Sequence, residues 1–231
     1  MSRKADIEAL LQRAETTLKR INSEYENSLQ SKTVSADLRI DIKDYFGNLR
    51  STLDYIAKDI VDKYCPRAKP KNKLYFPIRA DLNAFAEEMT RSYPDLITNN
   101  KIVYDILESI QPFKSDENKW LSLFNKLNNI NKHDCLVPQK RIETKRVNVN
   151  IHGGGSVNWD SSAVTFGPGV SIGGVPVNPN TQLPNPSNTQ SVSIETWVDF
   201  QFEDINVSAL WLTKESSAQI NKIYNNLKSE I

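Results

Sequence analysis

Residues 35–64 read SADLRIDIKDYFGNLRSTLDYIAKDIVDKY. Within this stretch Ile42, Phe46, Leu49, Leu53, Ile56 and Ile60 follow one another at intervals of four, three, four, three and four residues. That spacing holds them on one face of an α-helix. A stripe this long predicts packing against partner helices. The helix is expected to begin near Ser35 and to stop before Pro66, which cannot continue it.

Upstream, Ile7, Leu11, Leu18, Ile21 and Tyr25 fit one face of a first helix from about Ala5 to Leu29. Downstream comes a basic loop with Arg67, Lys69, Lys71 and Lys73, then a short apolar element, Leu74–Ile78. Asp81 is placed to cap a helix over residues 82–93, which Pro94 breaks. A further helix is expected from Asn100 to Ile110, stopped by Gln111-Pro112. Ser115 or Asp116 starts another, with Trp120, Leu123, Phe124, Leu127 and Ile130 on its buried face.

The pattern then changes. Seven of the eight glycines lie between Gly153 and Gly174, and five of the eleven prolines between Pro168 and Pro186. Val147, Val149 and Ile151 alternate, as do Val192, Ile194, Thr196, Val198, Phe200 and Phe202, which is strand periodicity. Short strands are also expected at 157–159 and 163–166, and an irregular loop at 178–188. Thr213 is placed to cap a closing helix over 214–227. The fold class is therefore mainly α. A helical bundle occupies 1–141, a small antiparallel β-rich insertion 142–212, and a closing helix 213–231 packs back on the bundle.

The chain has 231 residues, 39% of them apolar and 25% charged. This is enough to bury a core, and it excludes a collagen-like or wholly disordered chain. No 18-residue apolar run or signal-peptide pattern is present, so a cytoplasmic protein with no membrane partner is expected. Residues 1–141 carry 24 basic and 20 acidic side chains, and residues 142–231 carry 5 and 8. Neither balance demands a nucleic-acid partner, although a local patch would be enough for one.

His133 is the main chemical candidate, since an imidazole exchanges protons near neutral pH. Asn129 lies four positions before it on the same helical face, and Asn128 nearby. Amides there would orient a phosphate or a ribose hydroxyl. The plainer alternative is a histidine in the field of a helix C-terminus. Arg50 and Asp54 form an i,i+4 pair beside the apolar stripe. They either face His133, with Arg50 neutralising phosphate and Asp54 orienting the imidazole, or form a salt bridge at the bundle edge. Lys132 is a second source of positive charge.

Other motifs point to turns and core. His152-Gly153-Gly154-Gly155 reads as a hairpin turn, because the chain has no G-x-S-x-G nucleophile to accompany an oxyanion loop. Gly167-Pro168-Gly169 and Gly173-Gly174 lack the lysine and hydroxyl of a P-loop. Cys65 and Cys135 cannot complete a zinc site and read as small buried hydrophobes. No cofactor or metal is expected. Trp120, Trp197 and Trp211 suit core or rim positions, while Trp159 either pins a small sheet or stacks on a base.

The run Phe46-Gly47-Asn48-Leu49-Arg50-Ser51-Thr52-Leu53-Asp54-Tyr55-Ile56-Ala57 resembles the start of HEPN-like bacterial proteins. Phe76-Pro77-Ile78, Ile110-Gln111-Pro112-Phe113 and Asn129-Ile130-Asn131-Lys132-His133-Asp134 resemble their later landmarks in the same order. The likeness covers roughly residues 35–140. It implies a helical bundle that dimerises. Many HEPN domains are metal-independent ribonucleases of toxin–antitoxin, CRISPR and anti-phage systems, marked by an arginine followed after four to six residues by histidine. His133 matches that histidine. The arginine is missing, because Asn128 stands five positions before His133. Two functions follow from the resemblance. One is a ribonuclease or RNA-binding protein of bacterial defence or stress response, using His133, Asn128, Asn129, Arg50, Asp54 and Lys132. The other is a catalytically inactive module that forms a homodimer or docks a partner protein of a defence system.

Overall fold

In the computed structural model the described residues are 3–31, 33–69, 74–133 and 136–231. Of residues 29–31, His133 and Trp197 only the backbone is described. The chain forms two compact units, residues 1–140 with 201–231, and residues 141–200.

The first unit is mainly helical. Helix α1 spans Lys4–Ser31 and α2 spans Ala36–Tyr64. Arg3 pairs with Asp59 and Arg20 with Asp41, so the two helices run antiparallel. Ser35 caps α2 by accepting from the Leu38 N–H at 3.0 Å. The full predicted stripe of α2 is buried, and Leu38, Tyr45 and Ala57 widen it. A face this broad marks a central helix, and α2 contacts α1, α6 and α7. On α1, Ala14 and Thr17 are buried where Leu18 was expected, and Leu18 is half-buried.

Helix α3 (Leu82–Ser92) is capped by Asp81. Two short helices follow, α4 (Leu96–Asn99) and α5 (Lys101–Ser109). A 3-10 turn at Asp116–Asn118, capped by Ser115, leads into α6 (Lys119–His133). Trp120, Leu121, Phe124 and Leu127 are buried on α6, with Leu121 taking the place expected for Leu123. Phe46 sits at the centre of an aromatic cluster, 5.8 Å from Phe124 and 6.1 Å from Phe202 between ring centroids. Each large apolar side chain buried in this way stabilises the fold by about 1.5–3 kcal/mol.

The closing helix, α7, spans Ala209–Leu227 and packs on α1, α2, α5 and α6. Its cap is Ser208 rather than Thr213. Thr213 lies inside the helix, where its hydroxyl donates to the Ala209 carbonyl at 2.6 Å. The buried Tyr45 hydroxyl donates to the Thr213 carbonyl at 2.8 Å and ties α7 to α2.

The strands are β1 (Gln139–Ile151), β2 (Ser156–Asp160), β3 (Ser171–Ile172), β4 (Val175–Asn178), β5 (Leu183–Pro184), β6 (Gln190–Phe202) and β7 (Val207–Ser208). One sheet has the order β2-β1-β6-β7, with β7 pairing the last residues of β6 within the first unit. In the second unit β1 and β2 are antiparallel, with Val147 opposite Trp159 and Val149 opposite Val157. Strands β3, β4 and β5 form a second small sheet. Val147, Val149, Trp159, Ile172 and Val177 make this unit's core. Trp159 is buried against Phe166 at 5.0 Å, so it pins the sheet and is not free to stack on a base. Residues 163–166 are turn and irregular backbone, and the loop at 178–188 contains β5. His152-Gly153-Gly154-Gly155 links β1 to β2 as a turn, with His152 Nδ1 2.9 Å from the Asn188 carbonyl.

Candidate functional site

A groove of about 1120 Å³ opens on the helical unit between α1, α2, α6 and the segment 74–79. Ligand pockets span about 300–1,000 Å³, so this groove stands at the upper end of that range. From α2 it takes Gly47, Asn48, Arg50, Ser51 and Asp54, and from α6 it takes Asn125, Asn128, Asn129, Asn131 and Lys132.

Helical spacing explains both walls. Gly47, Arg50, Ser51 and Asp54 stand at i, i+3, i+4 and i+7, beside the buried stripe of α2. Asn125, Asn128, Asn129 and Lys132 repeat the same spacing on α6, along the flank of the face that buries Leu121, Phe124 and Leu127. Arg50 joins the walls. Its Nη1 donates to Asn125 Oδ1 at 2.9 Å, and its Nε lies 3.3 Å from Asp54 Oδ1. Asn128 turns back on its own helix, donating to the Phe124 carbonyl at 3.0 Å. Asn131 accepts from the Val137 N–H at 3.1 Å and holds the chain as it leaves α6. Asn129 and Lys132 are exposed.

The third wall is segment 74–79, which has neither helix nor strand. Buried backbone polar groups need partners, and here three side chains provide them. Asp54 accepts from the Phe76 N–H at 2.8 Å, and the Tyr93 hydroxyl donates to the Tyr75 carbonyl at 2.9 Å. Gln111 donates to the Pro77 carbonyl at 2.8 Å and accepts from the Arg79 N–H at 2.9 Å. Phe76, Pro77 and Ile78 are buried, whereas Tyr75 is 44% exposed. The Arg50 guanidinium carbon lies 5.6 Å from the Tyr75 ring centroid, and Lys132 Nζ lies 5.8 Å from it.

Seven basic side chains line the groove (Arg13, Arg20, Lys43, Arg50, Arg79, Arg91 and Lys132) against four acidic ones (Asp41, Asp44, Asp54 and Glu88). The excess favours an anion. Burial pushes the Asp54 carboxyl above the ordinary aspartate value, and Arg50, the Phe76 N–H and Lys58 only partly offset it. Burial acts in the same direction on Glu88. There the hydrogen bonds from Ser92, Arg79 and Arg91 and the Arg79 charge outweigh it, and the carboxyl falls below its ordinary value.

Of the residues singled out in the sequence, Arg50, Asp54, Asn128, Asn129 and Lys132 share this groove. His133 ends α6 beside Lys132, and its side chain lies outside the described residues. Cys135, Asp134, Lys71 and Lys73 also lie outside them. From the basic loop, Arg67 is bound to Asp95. Burial raises the Cys65 thiol to about 11, so it is unreactive at neutral pH. Asn125 and Tyr75 are additions. The i, i+3, i+4, i+7 pattern with Lys132 was the signal for Asn125, and Tyr75 has no periodic signal.

Among the described residues no cluster of three or more His, Cys, Asp or Glu side chains is placed to hold a metal ion, and no helix is long and apolar enough to cross a membrane. No protein-family model matches the chain, and no curated protein and no solved structure matches it.

Proposed function

We propose that the helical unit is HEPN-like, binds RNA in this groove and cleaves it without a metal ion, in a bacterial defence or stress response. The observation that carries the reading is the pairing of cations with amides along one open groove, from Arg50 and Asn125 to Asn129 and Lys132. Cations offset backbone phosphates, and amides donate to phosphate oxygens and both donate to and accept from ribose hydroxyls.

In this reading His133 handles the proton. The 2′-hydroxyl oxygen attacks the phosphorus, the P–O5′ bond breaks, the imidazole takes up the 2′ proton, and a water molecule protonates the 5′ oxygen as it leaves. Asn129, four residues before His133, orients the ribose or phosphate. Arg50 and Lys132 offset the charge that grows on the phosphate oxygens. Arg50 comes from α2 and supplies the guanidinium that α6 lacks. Asp54 holds Arg50 and the Phe76 backbone.

One observation favours the alternative, a catalytically inactive module that dimerises or docks a partner protein. Arg50, Asp54 and Asn125 already satisfy one another, as a purely structural polar cluster does. The deciding experiment incubates purified protein and its His133→Ala variant with total cellular RNA and a tRNA pool in EDTA. It also measures binding to fluorescein-labelled RNA by anisotropy and molar mass by light scattering. Cleavage by the parent alone supports the nuclease. Binding without cleavage reduces the function to RNA binding. Neither activity, with a dimer in solution, overturns the proposal in favour of the module.

A further inference from the structure

We propose that Tyr75 is a base-stacking subsite, on which an unpaired nucleobase lies while Arg50 and Lys132 hold the flanking phosphates. The inference rests on reading the groove as an RNA site and adds how that RNA is gripped.

The first support is exposure combined with fixation. Tyr75 is 44% exposed, yet its backbone is held by the buried Tyr93 hydroxyl and its neighbour's N–H by Asp54. Phe76, Pro77 and Ile78, which follow it in the chain, are buried. A tyrosine that served only the core would turn inward with these three. Here the fold fixes the backbone that carries an exposed aromatic ring lining the groove. A platform held in place loses little freedom when a ligand covers it.

The second support is the company the ring keeps. Arg50 and Lys132 approach it to 5.6 and 5.8 Å, within the range where a cation is attracted to an aromatic face. Lys132 is exposed and its four-carbon stem is flexible, so a base can displace it from the ring toward a phosphate. An aromatic ring combined with a cationic groove is the arrangement that grips single strands. Every base has a π-face, whereas a paired and stacked base has none to offer.

The test compares a fluorescein-labelled RNA oligomer with an abasic oligomer of the same phosphate count, by anisotropy at fixed salt. The parent is expected to bind the base-bearing strand about tenfold more tightly. Tyr75→Ala and Tyr75→Leu are expected to bind the two strands alike, and Tyr75→Phe to keep the preference. The leucine variant retains apolar bulk should alanine disturb the segment, and far-UV circular dichroism checks both folds. Lys132→Ala is expected to weaken both strands in parallel and to reduce the salt slope by about one. RNA binding in which Tyr75→Leu keeps the preference overturns the stacking subsite and leaves the RNA reading standing. A parent that binds neither strand overturns the RNA reading, and the subsite with it.

Discussion

The Gln111 side chain donates to the Pro77 carbonyl at 2.8 Å and lies fully buried. Its second donor bond goes to the Leu107 carbonyl at 2.8 Å, and its oxygen accepts from the Arg79 N–H at 2.9 Å. One amide thus supplies two of the backbone bonds that a ladder would give segment 74–79. It couples the end of α5 to the wall of the groove. Removing it leaves the Pro77 carbonyl and the Arg79 N–H without their partner in the interior. Gln111→Ala is therefore expected to cost about 2–4 kcal/mol, which is more than a single surface hydrogen bond. Urea unfolding checks this. A loss below about 0.5 kcal/mol would show that water or a shifted backbone satisfies these groups equally well.

Gly47 sits inside α2 on the groove, and nothing lies within 4 Å of a Cβ placed there. Neither a close approach nor a positive φ requires glycine at this position. Gly47→Ala is expected to stabilise the protein by about 0.5–1 kcal/mol, because alanine loses less backbone entropy on forming helix. Gly47→Trp projects an indole into the groove and is expected to weaken RNA binding at least tenfold. Denaturant midpoints and anisotropy read the two effects separately. Unimpaired binding by the tryptophan variant would place the RNA elsewhere.

How far the sequence could be read follows from what each signal depends on. The stripe of α2, its start near Ser35 and the cap Asp81 are local patterns of the chain, and they were legible. Thr213 misled because a hydroxyl before Lys214 and Glu215 has the look of a cap. The apolar run from Ala209 to Leu212 carries no signal that separates strand from helix. The true cap, Ser208, lies at the far end of that run. On the groove, Arg50 stands out with Asp54 through helical spacing, and Asn129 stands out through its four-residue distance from His133. Tyr75 does not, because its place depends on bonds from Tyr93 and Asp54, which are remote in sequence. The alternation in β6 marks a strand, and along it Phe200 and Phe202 are buried while Val192 and Ile194 are 40% and 50% exposed. Periodicity gives the face of a strand and says nothing of how far along it the cover extends.

Gly173 and Gly174 both take positive φ, +57° and +80°, in the two-residue turn between β3 and β4. This is the backbone of a type I′ hairpin, which disfavours residues with a Cβ. The two positions differ in one respect. A Cβ at Gly173 would lie 2.9 Å from Ile151 Cδ1, whereas one at Gly174 meets nothing within 4 Å. Gly174→Ala is expected to cost about 1 kcal/mol from backbone strain alone, and Gly173→Ala about 1–2 kcal/mol, with displacement of Ile151. The buried Trp159 indole N–H, followed by NMR through thermal unfolding, reports on this unit. Equal losses at the two sites would show that Ile151 moves aside freely.

Asp54 and Glu88 face the same groove and are shifted in opposite directions, which gives stability two opposed responses to pH. Burial raises the Asp54 carboxyl, and Arg50 only partly offsets it. The folded protein therefore holds that proton more tightly than the unfolded chain. The contribution of Asp54 is full below its unfolded value and is lost as pH rises through the folded one. Glu88 is also opposed by burial, but Ser92, Arg79 and Arg91 bring its carboxyl below the ordinary value. Its contribution is full above the unfolded value and is lost as pH falls through the folded one. Relative to the parent, Asp54→Asn should gain stability as pH rises from about 4 to 7, and Glu88→Gln should lose it as pH rises toward and through the ordinary glutamate value of about 4.3. Urea titrations at stepped pH measure both differences. Curves that run parallel to the parent for either variant would show that its carboxyl titrates alike in the folded and unfolded chains.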